Sequence, residues 1–493
     1  MSSSLPAAEL LARASRSVSP VLDSLGGLSS AFADAGYELA LVGGPVRDAF
    51  LGRESPDLDL TTDARPDAIE SIMHGWADHT WDVGRAFGTI GGRRGERVVE
   101  VTTYRADAYE AGSRKPVVAF GDTLEDDLTR RDFTVNAMAL RLPDRVFVDP
   151  CGGLEDLARR RLRTPQEPEV SFSDDPLRMM RAARFTSTLG LRIEPEVLAA
   201  MAAMAPRLDI VSSERIRDEL TRLILGVDPR AGVEALVSTG LADVMLPEIP
   251  ALRLEVDEHH RHKDVYQHSL QVLEQAIALE SPATATDADD VPGPDLVLRL
   301  AALLHDIGKP ATRRFTPGGG VSFHHHEVVG AKLARSRLRA LRYDKDTVKA
   351  VTRLVELHLR FHGYGTGEWT DSAVRRYVTD AGELLGRLHR LTRSDSTTRN
   401  RRKAARLSAS YDDLERRIDL LREREQMDAM RPELDGHQIA EVLDIPPGPA
   451  LGRAYKHLLE FRLDHGVVGH DAAVGELRRW WQQESERGSQ GAQ

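Results

Sequence analysis

Apolar and polar positions change rhythm part-way along this chain. Between residue 37 and about 165, short β-rich runs alternate with helical segments, an α+β pattern. The runs are Ala40-Leu41-Val42, Arg97 to Thr102, Val117 to Phe120 and Arg145 to Val148. From about residue 170 apolar residues recur at three- and four-residue spacings, as in Leu296-Val297-Leu298, Leu300 and Leu303-Leu304, which predicts a nearly all-helical remainder. Thr164-Pro165-Gln166-Glu167-Pro168 marks the boundary. The expected organisation is an N-terminal helix over 1–36, a head over 37–167, a helical neck over 168–255, a further helical domain over 256–400, a helical tail over 401–483 and a polar, disordered end over 484–493. Pro282 to Pro294 reads as a flexible loop and Thr316 to Gly320 as a tight glycine-rich turn.

Composition narrows the class. A chain of 493 residues holds two or more cores, and no run of about 18 apolar residues suggests a membrane span. The start, Ser2-Ser3-Ser4-Leu5, has neither a basic leader nor a cleavage pattern, so a soluble cytoplasmic protein is expected. The single cysteine, Cys151, excludes an internal disulfide and cysteine-rich zinc modules. A net charge of -11, from 66 Lys+Arg against 77 Asp+Glu, argues against a generic polyanion binder. Positive residues nevertheless cluster at Arg159 to Arg163, Arg178 to Arg184 and Arg393 to Arg406, as RNA-following patches or as solvated helix faces.

At finer scale, Leu39-Ala40-Leu41-Val42 reads as a buried strand, Gly43-Gly44 as a tight turn, and Pro45 to Leu51 as a helix start with proline near its first position. Such a turn offers backbone N–H groups and a positive helix end to a phosphate. In Pro56-Asp57-Leu58-Asp59-Leu60 the carboxylates alternate with leucines, so Asp57 and Asp59 share one face of a strand and the leucines face the core. Paired carboxylates suit Mg²⁺, which completes its shell with water and substrate phosphate. Glu100, mid-strand among valines, needs a cation or donor if buried and is the candidate third acidic group; an outward-facing surface glutamate is the alternative.

The joint pattern Gly43-Gly44-x-Val46-Arg47-Asp48, Leu51-Gly52, Asp57-Leu58-Asp59-Leu60 resembles the head motif of the tRNA nucleotidyltransferase and bacterial poly(A) polymerase group, within the polymerase-β-like superfamily. The resemblance implies a head with a mixed or antiparallel sheet followed by an all-α neck, body and tail, and Gly43, Gly44 and Arg47 as nucleotide contacts. In that group the strand pattern Val-Glu-Val-Thr-Thr-Tyr-Arg places Glu100 as assistant to the two metal-binding aspartates. Asp126 to Ala137 is similar to the second motif, in which Arg130, Arg131, Asp132 and Asn136 are expected to bind triphosphate oxygens and a ribose hydroxyl. Arg131 and Asp132 can equally form a loop-shaping ion pair.

Asp174-Asp175-Pro176-Leu177-Arg178, with Arg181 and Arg184, carries the base-selection argument. If Pro176 starts a helical turn, Asp175 and Arg178 lie three apart on one face. A carboxylate accepts from an exocyclic amine and a guanidinium donates to a ring acceptor. Cytosine and adenine share that edge, so the pair admits CTP and ATP and refuses UTP and GTP, by roughly 10⁴-fold or more where the wrong base leaves buried groups unpaired. This resembles the protein-templating motif of class II CCA-adding enzymes, although residue 174 is Asp where the family usually has Glu. Ser212 to Leu220, a capped amphipathic start, resembles the neck motif and is read as support.

A second constellation is His268, His305-Asp306, His326, His358 and Asp395. Mixed imidazole and carboxylate ligands suit a divalent metal, and the order resembles the HD phosphohydrolase superfamily. The implied function is template-independent CCA addition to the tRNA 3′ end from CTP and ATP with Mg²⁺, plus a possible second metal in the HD domain; oligomeric state stays open. Poly(A) polymerase is the runner-up, sharing the head motifs. A CC-only enzyme is disfavoured by the full-length Tyr104 to Lys115 loop. An HD phosphohydrolase with a merely nucleotide-binding head is disfavoured by the intact Asp57/Asp59 pair, and a non-catalytic RNA binder by two complete ligand sets.

Overall fold

The computed structural model describes residues 19–490 apart from positions 20, 21, 24, 54, 56, 106–120, 254–263, 286, 288, 316–320, 362, 363, 365–368, 399 and 426–430. The predicted strand at Val117 to Phe120, the Thr316 to Gly320 turn, most of the Tyr104 to Lys115 loop and the first residues of the N-terminal helix lie outside the described residues; of that helix, Gly26–Asp34 is described. The chain forms two compact units, one of residues 1–250 with 340–342, the other of 251–339 with 343–493.

The first unit is built on a seven-stranded sheet in the order β3-β4-β5-β2-β1-β6-β7. The strands are β1 (Leu39–Val42), β2 (Asp57–Thr62), β3 (His79–Trp81), β4 (Thr89–Arg94), β5 (Arg97–Thr103), β6 (Ala139–Leu142) and β7 (Val146–Val148). Only the β2–β5 pair is parallel, so the sheet is mixed, as the α+β reading expects. Leu58, Leu60, Ile90, Val99 and Val101 are buried on one face, against helix Pro66–Trp76 with its buried Ile69 and Met73. Strand alternation then leaves Asp57, Asp59 and Glu100 on the other, exposed face. After the sheet come helices, among which Leu177–Leu189 packs against both Ser213–Ile224 and Pro229–Ser238.

The second unit is helical: Val265–Ala278, Leu296–Leu304, Lys345–Leu357 and Leu385–Asp395 pack on one another, and Gly436–Leu443, Pro449–His465 and His470–Gln490 bury their own cluster of Leu434, Ile439, Ala454, Leu458, Ala473 and Leu477. Two sequence readings need correction. The described residues of the Pro282 to Pro294 loop are tied down: Ser281 N donates to Val291 O (2.8 Å), Gly293 N to Ser281 O (3.1 Å), and Arg422 Nη1 reaches Asp289 Oδ2 at 2.6 Å. Arginine donors on other helices override the loop's own Gly/Pro/Asp composition. The end after Gln483 also continues as helix to Gln490, because Gln, Glu and Arg are good helix formers; Ser485 Oγ donates back to Trp481 O at 2.9 Å. Among the described residues, no helix is long and apolar enough to cross a membrane.

Candidate active site

The parallel register of β2 and β5 sets Asp59 directly beside Glu100, with Asp57 two residues away on the same face. Glu100 joins the aspartates rather than standing alone on the surface. Burial raises Asp59 above the usual carboxylate range; Arg131 pulls it down and Asp57 pushes it further up. Glu100 is raised likewise, by burial and then by Asp59 and Asp57. Two carboxylates that resist ionising side by side, with a third on the same face, fit a cation bound among them.

Beside them the backbone turns at Gly43, whose φ of 72° suits glycine, into helix Gly44–Leu51 with Pro45 in its first turn. A Cβ at Gly43 would lie 3.1 Å from Arg131 Nη1, so the missing side chain lets that guanidinium lie against the turn. A cleft of about 280 Å³ opens here, lined among others by Asp59, Arg105, Arg130, Arg131, Asp174 and Arg178. A lining that brings carboxylates and guanidiniums together suits a metal-bound polyphosphate.

Several predicted nucleotide contacts prove to hold one another. Arg47 is buried, donating through Nε to Asp48 (2.9 Å) and through Nη1 to Asn136 Oδ1 (2.6 Å); Asn136 Nδ2 donates to Asp132 Oδ1 (3.0 Å). Asp132 also accepts from Arg181 Nε (2.7 Å), and Glu219 sits 3.2 Å from Arg184 and 3.8 Å from Arg181. The adjacent pair Arg131–Asp132 is therefore not an ion pair: Arg131 bonds Asp127 (2.9 Å) one helical turn back, while Asp132 points to Arg181. Burial opposes the charge on Asp132, but Arg181 and Asn136 hold it well below the ordinary carboxylate range.

Asp175 and Arg178 also differ from the one-face reading. Asp175 terminates helix Pro168–Asp174 in an extended conformation, and helix Leu177–Leu189 begins after Pro176. The proline ends one helix before starting the next. Asp175 Oδ1 accepts from Leu177 N (3.0 Å) and Oδ2 from Arg215 Nη2 (2.7 Å), whereas Arg178 donates to Ser171 Oγ (2.8 Å) and Arg130 O (2.8 Å). Asp174, whose role the sequence left in doubt, lines the cleft. Arg215 and Glu219, on a helix the sequence reads only as support, reach the site, and the run of charges in that Ser212-capped helix is their signal. The basic run at Arg159 to Arg163 is partly internal as well, since Arg161 and Arg163 both pair with the buried Asp156 (2.9 and 2.7 Å).

All six residues of the second constellation converge. His268, His305 and Asp395 form one triad of ligand atoms within 4.8 Å, and Asp306, His326 and His358 another. His305, His326 and His358 each turn Nδ1 to the carbonyl three residues back (Ala302, Phe323 and Val355; 2.9, 2.8 and 2.7 Å), leaving Nε2 to point inward. Those three Nε2 atoms are buried without a hydrogen-bond partner, facing the carboxylate of Asp306. Orphaned acceptors fixed by outer carbonyls are what a metal ion requires. His268 Nδ1 lies 3.1 Å from Thr397 Oγ1, and Lys309 Nζ 2.9 Å from Asp306, two contacts absent from the sequence reading. Burial opposes charge on His305, yet Asp306 and Asp395 push it up to about 10; burial drives His358 down to about 3.

Comparison with known proteins identifies the domains that carry these residues. Family models match residues 39–163 (poly A polymerase head domain), 190–252 (probable RNA and SrmB-binding site of polymerase A) and 265–400 (HD domain). Nucleotidyltransferase and HD domains generally use divalent metals. An A-adding tRNA nucleotidyltransferase of Deinococcus radiodurans is 35% identical over 456 residues, 90% of this chain and 95% of that protein. A CCA-adding enzyme of Bacillus pumilus is 39% identical, over 47% of this chain and 55% of its own length. The CCA-adding enzyme of Bacillus stearothermophilus, solved in complex with CTP, shares the fold with a TM-score of 0.66 at 24% identity, covering 95% of this chain and 99% of that one. The chain belongs to the bacterial tRNA nucleotidyltransferase and poly(A) polymerase family with an HD domain.

Proposed function

We propose that this protein adds CCA to the 3′ end of tRNA from CTP and ATP without a nucleic-acid template. The observation that carries the reading is the β2–β5 register, which lines up Asp59 with Glu100 next to an arginine-walled cleft. Asp57 and Asp59 would hold Mg²⁺, with Glu100 adding charge; when bound, Mg²⁺ lowers the barrier by activating the 3′ hydroxyl and neutralising the leaving pyrophosphate. Arg130 and Arg131 face the triphosphate, and the Gly43–Gly44 turn gives it backbone N–H groups. Arg47, Asp132, Asn136, Arg181 and Arg184 serve as the frame behind them. Arg178 and Asp175 read the base edge; since Arg215 occupies Asp175, a bound cytosine or adenine amine takes over that carboxylate. The work belongs in the cytoplasm, where tRNA is matured.

A second reading is A addition alone, favoured by the relative from Deinococcus radiodurans, which matches across nearly its whole length. Transcripts ending before CCA, after C and after CC, each offered CTP, ATP or both and then sequenced, separate the two. CCA on the first transcript supports the first reading, extension of the CC transcript alone supports the second, and long A tails indicate poly(A) synthesis.

For the HD site we propose that His268, His305, Asp306 and Asp395 hold a divalent metal, with His326 and His358 completing a second position or meeting a substrate phosphate, and that the site hydrolyses phosphoesters. Metal content by mass spectrometry with hydrolysis of 2′,3′-cyclic nucleotides tests it. Metal without hydrolysis means a structural role.

A further inference from the structure

One aromatic side chain on the open face of the head sheet has no part in the account so far. Pairing of Trp81 with Gly91, Gly91 with Glu100, and Glu100 with Asp59 sets these four residues in one row across β3, β4, β5 and β2. Directly opposed residues on neighbouring strands project from the same face, so the indole shares the face of the carboxylates. Gly91 makes room for it: a Cβ built there would lie 2.0 Å from Trp81 Nε1 and 2.1 Å from Cε2. The indole thus lies across Gly91, toward Glu100. Gly92 points the other way, where a Cβ would meet Met73 Cε at 2.4 Å in the core. One row along the same face stand His79, Arg93, Val98 and Asp57, with His79 and Arg93 exposed.

The carboxylate row therefore has two unlike flanks. Toward β1 and the C-terminal end of β5 lies the guanidinium-lined cleft; on the β4–β3 side lie a half-buried indole and two basic side chains. We infer that Trp81, seated on Gly91, is the platform on which the 3′-terminal base of the acceptor RNA stacks, with Arg93 and His79 facing its phosphates. This rests on the transferase reading, in which the nucleotide fills the arginine side and the 3′ hydroxyl must come to the carboxylates from the other. Stacking suits this acceptor, because its terminal base changes with each addition and every base has a π-face.

The test uses the full chain and an RNA minihelix with a single-stranded 3′ end, compared with the same minihelix bearing an abasic 3′-terminal residue. Wild type should bind the intact RNA roughly tenfold more tightly than the abasic one. Trp81→Ala should bind both alike at the weaker level and raise KM for RNA while leaving KM for CTP and ATP within about twofold, as stacking touches only the acceptor. Trp81→Phe should recover most of the preference, and Gly91→Ala, which displaces the indole, should lose it. Equal binding of the two RNAs by wild type, or an undiminished preference in Trp81→Ala, overturns the inference. Should Trp81→Ala fail to fold, the wild-type comparison and Trp81→Phe still decide. Nucleotide addition without a terminal-base preference sinks the platform alone; a preference without any addition sinks the transferase reading and leaves the platform.

Discussion

The two candidate metal sites solve opposite problems. In the head, Asp57, Asp59 and Glu100 share one sheet face beside an arginine-lined cleft, and loss of solvation together with neighbouring carboxylates raises Asp59 and Glu100. In the HD domain, His305, His326 and His358 are buried and each is locked by its own chain's carbonyl three residues back. An open site that leaves shell positions to water and phosphate suits a metal that arrives with its substrate, whereas a closed, pre-oriented imidazole set suits a resident ion. The contrast separates a site made to exchange ligands from one made to retain them.

The largest expected effect breaks the open site. Asp59→Ala or Asp57→Ala should reduce CTP and ATP incorporation together by about a thousandfold or more, since the lost ligand serves either base; steady-state incorporation of each nucleotide checks it. Next, His305→Ala with Asp306→Ala should empty the HD site of metal, read by mass spectrometry on the folded protein. Removing only an orienting contact, as in Thr397→Val beside His268, should weaken metal binding there about tenfold.

Base selection sharpens the comparison on the open side. Arg178→Ala should cut discrimination against UTP and GTP by roughly a hundredfold, measured as ratios of kcat/KM. Asp174→Ala set against Asp175→Ala decides which carboxylate reads the amine: the account predicts the larger loss for Asp175, and a larger loss for Asp174 would hand the role to the cleft-lining neighbour.

A last effect, on stability rather than activity, concerns the frame behind the open site. Asp132 is held low by Arg181, so its contribution to stability is present above the unfolded value of about 3.9 and is lost as pH falls below it. Asp132→Asn should cost about 2 kcal/mol at neutral pH and flatten the acid limb of the stability curve, as followed by urea unfolding across pH.

Local periodicity made much of this readable. Asp57 and Asp59 are two apart on a strand, and the HD ligands keep their order along amphipathic helices. What stayed hidden depended on pairing between distant segments. Glu100 meets Asp59 only through a parallel register that no local pattern encodes, and Asp175 finds Arg215 forty residues on, a partner that its spacing from Arg178 does not reveal. Motif resemblance makes Arg47 and Asn136 nucleotide contacts, but their bond to each other joins residues 89 apart, which no local pattern encodes. The seat of Trp81 likewise depends on a glycine one strand away.

The central claim is that nucleotide addition belongs to the open carboxylate row and not to the histidine cage. The most direct test gives wild type, Asp59→Ala and His305→Ala the same tRNA transcript lacking its 3′ end, with Mg²⁺, CTP and ATP, and sequences the products. The account predicts extension by wild type and His305→Ala and none by Asp59→Ala. Extension by Asp59→Ala, or its loss in a folded His305→Ala, would contradict it.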